Sequence, residues 1–359
     1  MAETTVEVKA FDLFCGIGGL TYGLQQAGIT VSGGLDMDES CKYAYEHNCR
    51  ATFLTKDIRN IHYQNILCFL KDADYSILVG CAPCQPFSTH AQKVGDSRKD
   101  GRWNLIREFS RIIEEGKPDI VSMENVPGIK RETIFKDFIS KLEQLGYFVA
   151  YDVLNCHQFG IPQRRRRLVL LGSLLGPINL PEPSNVGTVT VRQAIGSMPA
   201  LKNGGACKTD NIHTCSTLTS VNLERIKTSV PGGSWKDWPT RLLPPCYRKA
   251  TGQTYSSVYG RMQWDGPAPT LTTQFYRYGT GRYGHPEQDR ALSLREGALL
   301  QTFPKDYKFL PPGEPTIFSK IGRHIGNAVP PALAKEIGKS ILEHVHADHE
   351  QRKSIHPGN

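Results

Sequence analysis

No apolar run in the chain approaches the roughly 18 residues that a membrane span needs. The opening segment MAETTVEVKAFDLF has no basic stretch leading into an apolar one. A membrane protein is therefore not expected, and the chain reads as soluble, globular and intracellular. No second cysteine or histidine pair at ligand spacing accompanies the lone CxxC of Cys81 and Cys84, so no metal is expected. The ten cysteines are scattered along a chain without a secretory signal, which points to reduced thiols rather than a disulfide framework. Neither a GxGxxG fingerprint nor the lysine of a phosphate loop is present, and this disfavours nicotinamide cofactors and ATP. Internal repeats are also absent.

What remains is enough for one large core and a smaller second one: 359 residues, 39% hydrophobic and 22% charged. The net charge of +8 favours a polyanionic partner, although a plain solvated surface carries such a surplus too. Up to about residue 175, strand-like and helix-like segments alternate. Val6 to Phe14, ITVSGGLD, FLTKDI, YSILVG and DIVSMENV read as strands; TYGLQQAG, Ser40 to His47, NILCFLK and NLIREFSRIIEEG read as helices. This rhythm predicts an α/β fold with a doubly wound, mostly parallel sheet. From about Pro181 periodicity fades and Pro, Gly, Ser and Thr rise, with Trp235, Trp238, Tyr255 and Trp264 set among basic residues. The expected organisation is a first domain of residues 1–183 plus 316–348, an irregular or β-rich second domain of 184–315, and a polar tail of 349–359 after a final helix AKEIGKSILEHV.

The chemistry gathers at predicted strand ends. FDLFCGIGGL sets glycines at the junction of the first strand and helix, where backbone can approach a ligand closely. Asp36 ends the second strand about twenty residues on, where a carboxylate can accept from ribose hydroxyls. Asp57 follows the third strand; each acid taken alone could equally be a helix cap. The stretch GCAPCQPFS puts Cys84 just past the fourth strand, in a run that leaves the core through two prolines. The next strand delivers Glu124 and Asn125 to the same edge. Thus a thiol and a carboxyl converge on a crevice of nucleoside shape.

Six segments in order, FDLFCGIGG, PCQPFS, ENVPG, QRRRR, RALSLREGALLQTFP and IGNAVPP, resemble the motif set of the DNA cytosine-5 methyltransferases and span residues 11 to 331. The resemblance implies a methyl donor, S-adenosylmethionine, and a target cytosine in double-stranded DNA that is rotated out of the helix. It implies that the Cys84 thiolate adds to C6 of the ring, that Glu124 in protonated form holds N3, and that Arg165 and Arg167 assist, Arg167 at O2. Phe14, Gly16 and Gly18 would line the cofactor, Asp36 would hold its ribose, and Met37 would lie by the adenine in place of the aromatic residue common in the family. Asp57 and Ile58 would bracket the adenine edge, and Asn327 and Val329 would close the methionine end.

The long polar segment after Cys84, with Lys93, Arg98, Lys99 and Arg102, would fold onto phosphates. In the variable region, Thr270 and Arg261 are candidate DNA contacts, and the aromatics and arginines of YSSVYGRMQW and QFYRYGTGRYG suit groove-reading loops. Compact length without regulatory modules fits a prokaryotic, cytoplasmic and nucleoid-associated modification enzyme. It would act as a monomer and share its site with a cognate restriction endonuclease. Two alternatives remain open on the sequence: a transfer-RNA methyltransferase of the same architecture, and a dithiol oxidoreductase using Cys81 and Cys84.

Overall fold

The computed structural model describes residues 6–83, 104–184, 187–249, 252 and 258–355. The chain divides into two compact units, Met1–Asn155 with Arg166–Pro183 and Val329–Asn359, and Cys156–Arg165 with Ser184–Ala328.

In the first unit the elements run β1 Val8–Leu13, α1 Gly19–Ala27, β2 Thr30–Asp36, α2 Lys42–Cys49, β3 Thr52–Thr55, α3 Tyr63–Leu70, β4 Tyr75–Gly80, α4 Leu105–Gly116, β5 Ile120–Asn125, α5 Thr133–Gln144 and β6 Phe148–Asn155. They continue, after an excursion into the second unit that holds β7 Gln163–Arg164, with β8 Arg166–Ser173 and the last helix, α10 Pro331–Ile355. Seven strands form one sheet in the order β3-β2-β1-β4-β5-β8-β6. The first five are parallel, and β8 and β6 close one edge antiparallel. Strand order reverses between β1 and β4, and α/β sheets bind ligands at the carboxyl ends of such a pair.

Alternation along the strands explains the layers. Phe11, Leu13, Leu78, Val121, Met123, Leu168 and Leu170 point to one face and share a core with α3, α4 and α5. On β1 the intervening Ala10 and Asp12 point to the other face, where α1 and α10 pack closely. A Cβ on Gly23 would stand 2.3 Å from the Pro331 carbonyl and 2.4 Å from the Ala334 Cβ, so only glycine lets these two helices approach.

The last helix corrects the expected tail: it runs through Ile355 instead of stopping before a polar tail. Its added turns are held by the start of β4. The Tyr75 hydroxyl donates to Asp348 Oδ2 at 2.7 Å, Arg352 pairs with the same carboxylate at 2.7 Å, and the Arg352 guanidinium lies over the Tyr75 ring. The sequence reading also omitted α5 and β6.

The second unit contains α6 Val191–Ile195, α7 Ser220–Thr228, β9 Ala268–Pro269, α8 Leu294–Leu300 and α9 Phe318–Asn327. Among the described residues its strands are only β7 and β9, each two residues long, plus isolated bridges. It is therefore irregular rather than β-rich. Its core is aromatic: Trp235, Trp238 and Tyr278 are buried with Leu242 and Val258. The boundary also differs from the expected one. Residues 156–165 join this unit through the β7–β9 pairing, and α9 joins it because Gly322 and Gly326 sit against Tyr276 and the backbone of Thr272 and Thr273.

Candidate active site

The turn leaving β1 is held in a conformation that most residues avoid. Phe14 (φ 62°), Gly16 (φ 50°) and Gly18 (φ 89°) all adopt positive φ, costly for a bulky residue such as Phe14. Gly16 N donates to Asp36 Oδ2 at 2.9 Å, and Asp38 N donates to Asp36 Oδ1 at 2.9 Å. The end of β2 is thereby tied to the turn after β1. A Cβ placed on Gly16 would meet nothing nearer than Asp36 Oδ2 at 4.0 Å, so the turn presents open backbone beside a carboxylate. Burial, first among its causes, raises the Asp36 pKa above the ordinary carboxylate value. Met37, beyond it, is 67% exposed.

Asp57 takes the cap role that the sequence left open. It accepts from Arg59 N at 3.0 Å at the start of a short 3-10 turn, and the Arg59 guanidinium binds both of its oxygens, which lowers its pKa. The Ile58 side chain lies in the core, and its carbonyl accepts from Arg111. Glycine backbone edged by carboxyl groups, without a phosphate loop, fits the cationic sulfonium nucleoside S-adenosylmethionine.

Beneath this turn lies Asp12, fully buried. Its Oδ2 accepts from Thr21 Oγ1 at 2.7 Å, and Thr21 lies 3.2 Å from the Tyr45 hydroxyl. Burial, reinforced by the Asp36 charge, pushes the Asp12 pKa up to about 8. Asp12 is therefore neutral in the native state at neutral pH and ionised in the unfolded chain. Stability from this group is complete below about pH 4, declines as pH rises, and is lost through pH 8. Asp12→Asn, which mimics the neutral acid, is expected to match the native protein near pH 4 and exceed it above pH 8, by on the order of a few kcal/mol. Urea midpoints measured across that range check this; a gap independent of pH would refute it.

Strand register brings three functional side chains together. In the parallel pair β4–β5, Gly80 is level with Met123, so Cys81 and Glu124 follow side by side. In the antiparallel pair β5–β8, Asn125 is level with Leu168, which sets Arg167 at the same edge. The Cys81 thiol donates to Glu124 Oε2 at 2.9 Å, and Arg167 Nε lies 2.8 Å from Oε1. Glu124 is only 3% exposed. Asn125 Nδ2 donates to the Ala82 carbonyl at 3.1 Å and fixes the backbone leaving β4. Cys84, Lys93, Arg98, Lys99 and Arg102 lie outside the described residues, as does Tyr255. No two of the nine described cysteines are joined to each other in a disulfide.

Arg165 belongs to the second unit. Its buried guanidinium donates to the carbonyls of Leu271, Gly326 and Ala328, and so gathers two loops of that unit. Gln163, which sequence reasoning passed over, is buried beside it. Gln163 Oε1 accepts from Leu271 N at 2.9 Å, while Nε2 donates to the Leu300 carbonyl and Gln301 Oε1. The signal was its position at the head of QRRRR, where a polar residue precedes an extended run.

Thr270 is exposed and donates to the Arg164 carbonyl at 2.8 Å. Arg261, expected as a base or phosphate contact, is buried: it donates to the carbonyls of Ile226, Ser229, His285 and Gln288 and pairs with Asp289. It braces two stretches of backbone, 226–229 and 285–288. Several expected groove readers are likewise buried: Phe275, Tyr276, Tyr278 and Tyr283. Asn327 and Val329 fall on opposite sides of the division between the units, Asn327 exposed at the end of α9 and Val329 buried.

The fold and this edge define an α/β enzyme with a nucleoside-cofactor crevice beside a carboxyl–guanidinium–thiol cluster. Residues 8–343 match the family model described as C-5 cytosine-specific DNA methylase. Across 347 residues the chain is 49% identical to the type II methylase M.HgiDII of Herpetosiphon aurantiacus, covering 95% of this chain and 97% of that one. It is 33% identical to the type II methyltransferase M1.HphI of Haemophilus parahaemolyticus over 92% of this chain and 86% of that one. Among solved structures, a DNA modification methyltransferase from an E. coli prophage superposes with a TM-score of 0.73 at 21% identity, covering 94% of this chain and 99% of that one. The chain belongs to the C-5 cytosine-specific DNA methylase family: it is a DNA (cytosine-5-)-methyltransferase, with S-adenosylmethionine as methyl donor.

Proposed function

We propose that this enzyme is the modification half of a type II restriction-modification system, methylating one cytosine within a specific double-stranded DNA sequence as a monomer in a prokaryotic cytoplasm, close to the nucleoid. A restriction endonuclease reading the same sequence is its partner. The observation that carries this reading is near full-length 49% identity to a protein named a type II methylase, together with the Cys81–Glu124–Arg167 cluster, in which Cys81 belongs to the same GCAPC sequence as Cys84.

The chemistry assigned to each residue follows from the ring to be modified. Cytosine C5 is a weak nucleophile, so the Cys84 thiolate forms a bond to C6 while Glu124 passes a proton to N3. The electron pair of the C5–C6 double bond becomes available at C5. S-adenosylmethionine supplies the electrophilic methyl group carried on a sulfonium. Loss of the C5 proton to a base then expels the thiolate and restores the double bond, and N3 returns its proton to Glu124. Arg167, beside Glu124, holds the base at O2, and the ring reaches these groups only after leaving the stack.

Phe14, Gly16 and Gly18 face the donor, with Asp36 on its ribose and Met37, Asp57 and Ile58 around its adenine. Asn327 and Val329 take the methionine end. Thr270 and the basic segment after Cys84 take DNA phosphates, and Arg165 supports the strand that leads to Arg167.

Sequencing the DNA of cells expressing the protein for modified cytosines tests the proposal. 5-Methylcytosine confined to one short sequence context is expected. Unmodified DNA, together with methyl incorporation into transfer RNA in vitro, would overturn it.

A further inference from the structure

The Cys81 thiol stands where a side chain can control the acid of the reaction. Glu124 has three rotatable side-chain bonds, and a carboxyl held at one oxygen by Arg167 alone remains free to swing. The second oxygen is anchored by Cys81: Sγ to Oε2 2.9 Å, against Arg167 Nε to Oε1 2.8 Å. Strand register enforces this contact, because residue 81 follows Gly80 as residue 124 follows Met123 on the neighbouring parallel strand.

We propose that Cys81 is a positioning residue for methyl transfer, its thiol fixing the orientation of the Glu124 carboxyl toward N3 of the cytosine. The inference rests on the reading of Glu124 as the acid at N3, and assigns the first cysteine of the CxxC to the enzyme's own chemistry rather than to a redox couple.

Two consequences follow from the donor. A thiol is a weak hydrogen-bond donor to a neutral group but strengthens its bond as the acceptor becomes anionic. As the Glu124 proton passes to N3, the charge left on the carboxyl is met by the S–H already directed at Oε2. The contact is therefore stronger in the transition state than before it, and its loss lowers kcat rather than raising KM.

Cys81→Ala and Cys81→Ser are compared with Glu124→Gln in the full chain, using methyl incorporation into unmethylated duplex DNA and the rate at which duplex containing 5-fluorocytosine is captured. Cys81→Ala is expected to lower kcat and the capture rate about tenfold, the size of one hydrogen bond to a charged group. The KM for S-adenosylmethionine and the melting temperature should stay unchanged. Cys81→Ser, which keeps a donor, is expected to recover most of the loss. A fully active Cys81→Ala beside an inactive Glu124→Gln would overturn the positioning role alone. Equal losses in Cys81→Ala and Cys81→Ser would overturn it too, because packing of the sulfur would then be what counts. An active Glu124→Gln would overturn the reading of Glu124 and the inference with it.

Discussion

Cys84→Ser is expected to lose methyl transfer by on the order of 10⁴-fold while binding duplex DNA as the unaltered chain does. In the proposed mechanism the Cys84 thiolate is the nucleophile, and a free thiol, with a pKa of about 8.5, keeps a usable ionised fraction at neutral pH. A serine hydroxyl has almost no ionised fraction there, so the substitution removes the bond to C6 while nearly keeping the shape of the side chain. The same assignment predicts a covalent product. With fluorine in place of hydrogen at C5 of the target cytosine, no proton remains there to be removed after methyl transfer, the thiolate is not expelled, and the protein stays attached to the DNA through residue 84. Mass mapping of the trapped peptide checks this. Attachment through Cys81 would exchange the roles of the two cysteines, and normal turnover by Cys84→Ser would remove the nucleophile altogether.

The parts of this enzyme legible in the sequence are those where local pattern and three-dimensional position coincide. Five parallel strands were readable because each is short, apolar and bounded by turn residues. Their carboxyl ends then placed Phe14, Asp36 and Glu124 at one edge without any knowledge of long-range contacts. β6 escaped because it is an edge strand, FVAYDVLN, exposed or half-buried at every position and without a long apolar run. The extended last helix escaped because its stability comes from Tyr75, some 270 residues away in sequence, which supplies a partner for Asp348.

Arginines were the least legible residues. Arg165, Arg167 and Arg261 look alike in the sequence, yet one gathers carbonyls, one pairs with Glu124 and one braces two stretches of backbone. A guanidinium has five donors and satisfies them wherever the fold supplies acceptors. Only tertiary structure tells a strut from a ligand contact. The same holds for aromatics: those of the second unit look like a recognition surface until Trp235, Trp238 and Tyr278 are found packed together.

RALSLREG, one of the motifs that carries the family resemblance, yields the largest expected effect on stability. Arg290 and Glu296 are both fully buried and joined by two parallel hydrogen bonds of 2.8 and 2.7 Å. Glu296 also accepts from Ser293 N at 2.8 Å and so completes the cap of α8. Burial pushes the Glu296 pKa up, but the hydrogen bonds and charge of Arg290 more than offset it and leave it below the ordinary value. Burial holds the neighbouring His285 at about 4, so it is uncharged at neutral pH.

Glu296→Ala leaves the Arg290 guanidinium buried without a counterion. The expected cost is about 3–5 kcal/mol, far more than the pair contributes over an apolar replacement. The double variant Arg290→Met with Glu296→Leu should therefore recover most of the loss. Both titrations act on the acid side. His285 contributes stability that is complete above pH 6.5 and lost as pH falls through about 4, and Glu296, its pKa lowered, loses its contribution as pH falls below the ordinary carboxylate range. Urea unfolding followed by tryptophan fluorescence reports on this unit, because Trp235, Trp238 and Trp264 all lie in it. The midpoint should drop sharply in Glu296→Ala and return in the double variant. An unchanged midpoint in Glu296→Ala would mean that the motif's charged pair does not hold the second unit together.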